Sequence, residues 1–421
     1  MRNPYFFRLA LWKQFRRNKP ALVSSFILAA MFVLALFAPL VATDKPWFAK
    51  NGDEVFFPAF SFSDAIELTN QETGKKESMH ADQVDWKHRK LDKVIWAPVA
   101  YSPGKSDQVK TDYDAPSLKR HWLGTTKNGS DVFSGLIHGA RISLTIGILA
   151  MLIASLIGIT LGSLAGFFGD HGLRISRGSF WSTIAGILPS CFYSFSIRSD
   201  GLSGMLMNPG FVTIAHLLLS ILLFLFILFA FYRAGKLLDR FSFFAKKIFI
   251  HVDSIISRII EVFVSIPRLI LIITIAAIAR PSFFNLIIII GFTSWTEIAR
   301  FTRAELLRAR NSEYIENARA LGLTDIRIIL KHALPNALAP ATVAIVFGIA
   351  SAILIESGLS FLGIGVPQEV VTWGSLLFAG KENFEAWWLV IFPGLAIFTT
   401  VTALNLVGDG LRDAMDVRGR G

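Results

Sequence analysis

Two acidic residues, Glu261 and Glu356, lie within long apolar runs of the sequence. A charged side chain inside a membrane span is costly, and such a residue usually faces a cavity or a partner. A carboxylate in that position can bind a proton or a cation, or it can accept hydrogen bonds that orient neighbouring helices. Both residues are therefore candidates for a translocation path through the membrane or for an interface with a second membrane subunit. Interhelical hydrogen bonding that only orients the helices is the alternative.

The other residue types that commonly carry chemistry give little here. The single cysteine, Cys191, excludes an internal disulfide and a cysteine-built metal site. The eight histidines are scattered and show no metal-ligand spacing. The triplet Gly104-Lys105-Ser106 resembles the end of a phosphate-binding loop, but the first glycine of that motif would fall at Val99. The sequence therefore predicts no catalytic residue, no metal site and no cofactor bound by this chain.

The elements that hold these residues follow from the composition. The chain has 421 residues, of which 53% are hydrophobic and 17% are charged, and its mean hydropathy is +0.52. Runs of about 20 apolar residues are what a hydrocarbon core of roughly 30 Å requires of a helix. The net charge of +11 comes from basic residues in short segments beside those runs, which fits the positive-inside rule better than a nucleic-acid patch. The sequence predicts an all-α polytopic membrane protein that binds no nucleic acid.

Six apolar runs predict six membrane spans in a common core. They cover residues 21–42, 142–167, 255–278, 284–299, 340–364 and 387–407. Six basic and no acidic residues precede the first run, so we expect the N-terminus in the cytoplasm. The basic stretch between the fourth and fifth runs and the charged C-terminal tail are expected on the same side of the membrane.

A polar segment follows the first span. Residues 43–120 contain 12 Lys and Arg against 13 Asp and Glu, and such a balance is expected of a segment that can be exported. The short pieces 54–57 and 94–96 are β-like. We therefore expect a small folded insert on the extracytoplasmic side.

A second insertion contains two apolar arms, residues 180–197 and 211–232, with basic residues outside both ends. A hairpin that crosses the membrane and returns would place both basic ends in the cytoplasm. The second span ends there and the third starts there, so the residues between them must cross an even number of times. Two crossings are expected, because zero would leave the apolar second arm exposed to water. A re-entrant first arm is the alternative, since that arm contains Pro189 and many serines.

The basic stretch before the fifth span has a helical pattern. Ser312 can cap a first helix, Glu316 suits its first turn, and Gly322 suits its end. Thr324 can cap a second helix that runs toward Pro335. Two short helices that meet at a glycine make a compact knob, which can insert into a groove on a soluble partner and pass a rigid-body motion to the membrane helices. An amphipathic loop lying on the membrane is the alternative.

The same stretch resembles the "EAA" loop of ABC-transporter permease subunits, through which a membrane subunit docks onto its ATPase. The resemblance depends on five residues: Glu316, Ala318, Gly322, Leu334 and Pro335. The sequence departs from the family pattern at Asn317, where alanine is usual, and at His332, where an aliphatic residue is usual. The resemblance implies that these five residues belong to an ATPase-coupling loop within residues 300–340.

Further blocks resemble the C-type permeases of the oligopeptide/dipeptide importer family. They cover residues 121–144, 354–366 and 392–416. The long first loop, with its DKP start at Asp44 and WAP at Trp96, is most similar to the subgroup that includes microcin C importers. The hairpin segment has no recognised counterpart in the family.

The resemblance implies the permease subunit of an ATP-driven ABC importer for peptides, of the oligopeptide/dipeptide or microcin C-like kind. The implied partners are a second, B-type permease subunit, two ATP-binding cassette ATPase subunits that bind ATP and Mg, an extracytoplasmic peptide-binding protein and the lipid bilayer. The implied location is the bacterial inner membrane, with both termini cytoplasmic. ABC import of nickel or another small solute is one alternative. A proton-coupled secondary transporter that uses Glu261 or Glu356 is another, but it leaves the Glu316–Pro335 block unexplained.

The implied fold is a six-helix ABC importer permease core of the MetI-like type, with an extra transmembrane hairpin and a small extracytoplasmic insert. We expect five segments along the chain: residues 1–43 as the cytoplasmic N-terminus and first transmembrane helix, 44–120 as the insert, 121–169 as the second transmembrane helix, 170–250 as the inserted hairpin, and 251–421 as the permease core with the coupling loop.

Overall fold

The structure is a computed structural model, and it falls into two compact units. It describes residues 12–51, 54–61, 65–69, 76–80, 84–87, 89, 91–106, 113–170, 172–197 and 211–415. One unit, which we call the loop unit, consists of residues 1–15, 148–352 and 408–421. The other, the insert unit, consists of residues 16–147 and 353–407.

The described residues are mostly helical. The helices are α1 Lys19–Leu36, α2 Ala38–Val41, α3 Val132–Phe168, α4 Arg177–Cys191, α5 Phe211–Leu237, α6 Ser242–Ala245, α7 Val252–Ser265, α8 Arg268–Ile278, α9 Phe283–Ala309, α10 Glu313–Ala320, α11 Asp325–Ile328, α12 Leu334–Phe361, α13 Trp373–Lys381 and α14 Trp388–Met415. The strands are β1 Phe48–Asn51, β2 Glu54–Phe56, β3 Ala65–Thr69, β4 Lys76–His80, β5 Lys93–Ile95, β6 Leu173–Ser176 and β7 Lys247–Ile250. The expected all-α class therefore needs correction, because both insertions contain short strands.

Several of these helices are long and apolar enough to cross a membrane. Within the described residues there are five, at Lys19–Leu36, Val132–Phe168, Leu218–Arg240, Asp325–Phe361 and Trp388–Met415. The predicted third span, 255–278, is not one straight helix, because α7 and α8 meet at a bend of 78° and count as a sixth span only if taken together. The bend follows Ser265 and contains Pro267, which has no backbone N–H to continue a helix. Helix α9, which contains the predicted fourth span, is 27 residues long but less apolar than the other five.

In the loop unit, α3 and α9 pack closely through the glycines that the sequence places four residues apart. A Cβ atom would lie 2.7 Å from the carbonyl oxygen of Trp295 at Gly158, and 2.6 Å from that of Ala299 at Gly162. Gly166 repeats the contact one turn further along both helices. Glycine thus lets the two backbones touch, as in other membrane helix pairs, and the two helices run parallel.

The bent pair α7–α8 runs antiparallel to α9. At the start of α7, Asp253 forms a bidentate ion pair with Arg303 of α9. Arg303 Nη2 donates to Asp253 Oδ2 at 2.8 Å. The next residue, Ser254, donates from its backbone amide to Asp170, beyond the end of α3, at 2.9 Å. Further along, Arg268 at the start of α8 donates to Ser294 of α9. These contacts tie the bent pair to both α3 and α9.

The second insertion, also in the loop unit, is a helical hairpin on a two-stranded stem. Strands β6 and β7 pair antiparallel, from Leu173 opposite Ile250 to Ser176 opposite Lys247. Helices α4 and α5 then pack antiparallel, and a Cβ atom at Gly235 would lie 2.5 Å from Cα of Ser179. A π-helical turn, Phe192–Ser196, follows α4. The predicted turn between the arms, including residues 198–210, lies outside the described residues.

The insert unit contains a three-stranded antiparallel sheet in the order β2-β1-β5. Strands β2 and β5 correspond to the β-like pieces predicted at 54–57 and 94–96. One face of the sheet packs through Ala49 against Val84 and Trp86. Strands β3 and β4 form a separate antiparallel pair.

The Gly104-Lys105-Ser106 triplet closes this insert and does not form a phosphate loop. Lys105 Nζ lies 2.7 Å from Asp44 Oδ2, and Ser102 Oγ donates to Asp44 Oδ1 at 2.6 Å. Burial acts to raise the pKa of Asp44, but hydrogen bonds from Lys105 and Ser102 outweigh it, so this pKa lies below its usual range. The contacts therefore join the start of the insert to residues 102–105.

Helix α3 begins at a buried cap in the family-like block 121–144. Asp131 Oδ1 accepts a hydrogen bond from the backbone amide of Ser134 at 2.7 Å, and His121 Nδ1 lies 2.9 Å from Asp131 Oδ2. His121 and Asp131 are each 3% exposed. A carboxylate at a helix N-terminus is stabilised by the unpaired amides there. The block thus fixes the start of the helix that carries the packing glycines.

Candidate functional site

The predicted coupling loop folds as two short helices, α10 and α11, around a glycine. Gly322 follows α10 with φ of +75°. The amide of Gly322 donates to the carbonyl of Arg319 at 2.9 Å, and the amide of Leu323 donates to the carbonyl of Ala318 at 3.2 Å. This pair of bonds is a Schellman motif, which ends a helix through one left-handed residue, usually glycine. The prediction that Gly322 ends the first helix is confirmed.

One face of the loop is buried within the loop unit. Ile315 and Ala318 of α10 and Ile328 of α11 pack in one cluster with Phe167 of α3 and Leu306 of α9. Ile315, Ile328 and Leu306 have no exposed surface. Burial of an aliphatic side chain contributes about 1.5–3 kcal/mol, so these contacts hold the loop rigidly on the ends of α3 and α9.

Arg319 links the two short helices to α3. Its guanidinium lies 5.3 Å from the centroid of the Phe167 ring, and its Nε lies 3.9 Å from Asp325 Oδ1. Asp325 is in the first turn of α11, where the helix dipole favours a carboxylate. Both charged side chains are about half exposed, so the ion pair contributes little stability. Arg319 therefore contacts both α3 and α11 from its place on α10.

The other face of the loop exposes large apolar side chains. Leu321, Ile326 and Leu330 are 80%, 68% and 60% exposed. Glu316 of α10 is also exposed. We call these four residues the outer surface of the loop. Apolar side chains grouped on a protein surface commonly mark a contact with another protein.

The five residues that match the EAA pattern have different surroundings. Ala318 is buried, and Leu334 is half-buried against the same cluster. Glu316 and Pro335 are exposed, and Gly322 forms the turn. Ala318, Gly322 and Leu334 therefore shape the loop, while Glu316 and Pro335 are accessible to a partner.

Sequence reasoning missed two features of the loop. It did not single out the exposed apolar residues, although the spacing of Ile326 and Leu330 places them on one helix face, opposite the buried Ile328. It also did not predict the π-helical turn Ile329–Ala333 that leads into α12. A π-turn changes hydrogen-bond partners by one residue, and residue types do not signal that shift.

Glu356 lies on α12 in the insert unit and has no exposed surface. Its carboxyl oxygens accept hydrogen bonds from Ser143 of α3 at 2.8 Å and from Ser360 at 2.9 Å. Ser357 adds a longer bond of 3.4 Å. The carboxyl group therefore ties α12 to α3 through hydroxyl groups of this chain.

Helix α13 packs beside this site within the same unit. Its first residue, Trp373, is buried and donates from Nε1 to the carbonyl of Leu136 on α3 at 3.0 Å. A Cβ atom at Gly374 would lie 2.6 Å from the carbonyl oxygen of Ser357 on α12. Helix α13 thus closes the space between α3 and α12 next to Glu356.

Glu261, unlike Glu356, is exposed and pairs with a basic side chain. It lies on α7, its side chain is 61% exposed, and Arg258 donates to its Oε2 at 2.7 Å. The same helix also exposes Ile259 and Val262. Glu261 therefore lies on an outer, largely apolar surface of the loop unit, where a partner can reach it.

Comparison with known proteins identifies the class to which this fold and loop belong. Residues 241–420 match the family described as binding-protein-dependent transport system inner membrane component, and residues 6–55 match the N-terminal TM domain of oligopeptide transport permease C. The first match contains the coupling loop, Glu261 and Glu356. The chain belongs to the inner membrane permeases of ABC transporters, in the group related to oligopeptide permease C. It is a multi-pass transport protein of the inner membrane and not an enzyme.

Individual relatives narrow the comparison. The chain is 28% identical over 412 residues to the inner membrane ABC transporter permease protein YejE of Escherichia coli K12, which covers 97% of this chain and 96% of that protein. It is 31% identical over 298 residues to the di/tripeptide transport system permease protein DppC of Pseudomonas aeruginosa, covering 70% of this chain and 72% of that protein. It is 25% identical over 438 residues to the peptidoglycan transport system permease protein YejE of Agrobacterium fabrum, covering 97% and 92%.

Proposed function

We propose that this chain is the permease subunit of an ATP-driven importer for peptides. Its partners in this proposal are a second, B-type permease subunit, two ATP-binding cassette ATPase subunits and an extracytoplasmic peptide-binding protein. The similarity to a di/tripeptide transport system permease supports the peptide substrate. ATP and Mg are bound by the ATPase subunits and not by this chain.

The coupling loop is the observation that carries this proposal. Its outer surface exposes Leu321, Ile326 and Leu330, which the described residues of the loop unit leave largely uncovered. Its inner face is fixed to α3 and α9 through Phe167 and Leu306. An ATPase that binds the outer surface would therefore move the ends of both helices as one rigid body. ATP hydrolysis would in this way open and close the path for the substrate.

The orientation of the chain follows from the same loop. If the ATPases are cytoplasmic, the coupling loop and the nearby ends of α3 and α9 face the cytoplasm, and both termini lie there too. Because α3 and α9 run parallel and α7–α8 runs antiparallel to them, the hairpin between α3 and α7 must cross an even number of times. The proposal is two crossings, by α4 and α5, with a re-entrant hairpin that crosses zero times as the alternative.

The two acidic residues take separate roles in this proposal. Glu356 orients α12 against α3, because its hydrogen bonds come from hydroxyl groups of the same chain. Glu261, exposed on α7, is proposed to contact the second permease subunit or the translocation path.

Co-purification of the ATPase subunits tests the coupling surface. The variant L321S/I326S/L330S is expected to insert normally and to lose the ATPase subunits from the affinity-purified complex. The matched variant L118S/F384S removes side chains that are 91% and 90% exposed in the insert unit, and it is expected to retain them. Wild-type ATPase recovery with the first variant would show that the outer surface is not the docking site.

A further inference from the structure

The stem end of the hairpin is strongly basic. The described hairpin residues, 172–197 and 211–250, include seven Lys and Arg but only one acid, Asp239. The antiparallel pairing of β6 with β7 and of α4 with α5 brings all seven to the end away from the turn. We call this set the collar: Arg174, Arg177, Arg233, Lys236, Arg240, Lys246 and Lys247.

The collar charges are not neutralised by other described residues. None of the seven forms an ion pair within the part of the chain that the structure describes. Three of them lie over aromatic rings: Arg174 is 4.5 Å from the Phe249 centroid, Arg177 is 5.2 Å from that of Phe243, and Lys236 is 5.1 Å from that of Tyr232. An aromatic ring attracts a cation electrostatically but has no net negative charge. These ring contacts therefore leave the collar positively charged.

Exposed apolar residues lie among these cations. Leu237, Phe241 and Phe243 are each 64–65% exposed. They continue the apolar surface of α5. Only 11% of the apolar stretch within Leu218–Arg240 is buried, and Leu222 and Phe226 are 63% and 67% exposed. Phenylalanine is stable at the edge of the hydrocarbon, and Lys and Arg reach from there to the headgroups.

We propose that the collar binds the headgroups of anionic phospholipids, with Phe241 and Phe243 at the boundary of the hydrocarbon. The bilayer that covers the exposed sides of α5 continues to the collar, and basic residues at such a boundary attract anionic lipid. Arginines at 174, 177, 233 and 240 can also bind a phosphate through two N–H groups each. An acidic ATPase surface is the competing partner, but it would also have to cover the phenylalanines. This inference goes beyond peptide import and requires only that α5 lies in the membrane.

Native mass spectrometry of the purified complex tests the collar directly. The complex is released from nanodiscs that contain equal amounts of phosphatidylglycerol and phosphatidylethanolamine. Wild type is expected to retain phosphatidylglycerol preferentially. In the variant R233Q/K236Q/K246Q/K247Q, the ratio of retained phosphatidylglycerol to phosphatidylethanolamine is expected to fall at least about tenfold. The reason is that each basic residue near a membrane surface strengthens the binding of anionic lipid several-fold.

A matched variant controls for the change in net charge. K50Q/K93Q/K119Q/K127Q removes four positive charges from the insert unit and is expected to retain the preference of wild type. Equal retention of phosphatidylglycerol by the collar variant and wild type would overturn the proposal. So would a collar variant that keeps the lipid but loses the ATPase subunits, since the collar would then be an ATPase contact.

A second measurement on the unmodified protein keeps the proposal testable if the collar variant does not fold. Phosphatidylglycerol with a photoactivatable headgroup is mixed into nanodiscs that hold the wild-type complex, and the crosslinked peptides are mapped. Crosslinks are expected in peptides from residues 172–180 and 233–250. Crosslinks spread evenly over the membrane-facing helices, with none enriched at the collar, would contradict a specific site.

Discussion

Gly322 is needed for its backbone conformation and not because space is short. Its φ is +75°, yet a Cβ atom there would meet no other atom within 4 Å. A left-handed conformation costs most residues about 1–2 kcal/mol, and asparagine tolerates it better than β-branched residues do. The positive φ therefore favours glycine at position 322, whereas the space around it would admit a larger side chain.

This distinction predicts different effects for two substitutions of similar size. Gly322→Val is expected to lower the equilibrium constant for the correctly folded loop by about 5- to 30-fold, which follows from 1–2 kcal/mol, and to reduce ATPase co-purification. Gly322→Asn is expected to retain most of it. Equal loss with both residues would show that size matters after all, and no loss with either would show that the Schellman turn is not needed for docking.

Glu356 is expected to act through stability. Glu356→Ala removes the acceptor for Ser143 and Ser360, and each unsatisfied buried hydroxyl costs about 1–3 kcal/mol. The melting temperature of the Glu356→Ala variant in detergent should therefore fall clearly. The melting temperature of the Glu356→Gln variant should fall less, because glutamine keeps one acceptor oxygen. If Glu356→Gln abolishes uptake at unchanged melting temperature, the carboxyl group belongs to the translocation path instead.

At the scale of elements, the sequence predicted most of what depends on apolar run length and on glycine. Gly158, Gly162 and Gly166 have the four-residue spacing that is typical of close helix packing in membranes, and in the structure they contact α9. The bend at Pro267 was not predicted, although a proline inside an apolar run is itself a signal that the helix ends or kinks there. The π-turns after α4 and α11 were not predicted either, since a π-turn shifts the hydrogen-bond partners by one residue and no residue pattern in these segments was recognised as a sign of it.

The hairpin gives the prediction that belongs to this scale. With Cys191 replaced by serine, a single cysteine at Ser203, in the undescribed turn, should react with a membrane-impermeant thiol reagent added to cells whose outer membrane is permeabilised. This follows from two crossings by α4 and α5, which would place the turn outside. Labelling only after the inner membrane is opened would show that the turn does not reach the outside, and it would favour a hairpin that enters the membrane and returns without crossing.

For the whole molecule, the EAA-like block and the apolar runs were enough to predict the family, and the match over residues 241–420 confirms it. What the sequence could not give is the outer surface of the coupling loop, because exposure depends on how α10 and α11 pack on α3 and α9. The surroundings of Glu356 were also out of reach, since Ser143 lies 213 residues away in the chain. Both sites depend on contacts between distant segments.

Uptake by the reconstituted transporter tests the central claim most directly. This chain, its second permease subunit and the ATPase subunits are placed in proteoliposomes, with the binding protein and a labelled peptide on the side opposite the ATPases. Labelled peptide is predicted to accumulate only when Mg-ATP is present on the ATPase side, and a proton gradient alone should drive none. Peptide uptake driven by a proton gradient without the ATPases, or ATP-driven uptake of nickel but not of peptide, would contradict the account.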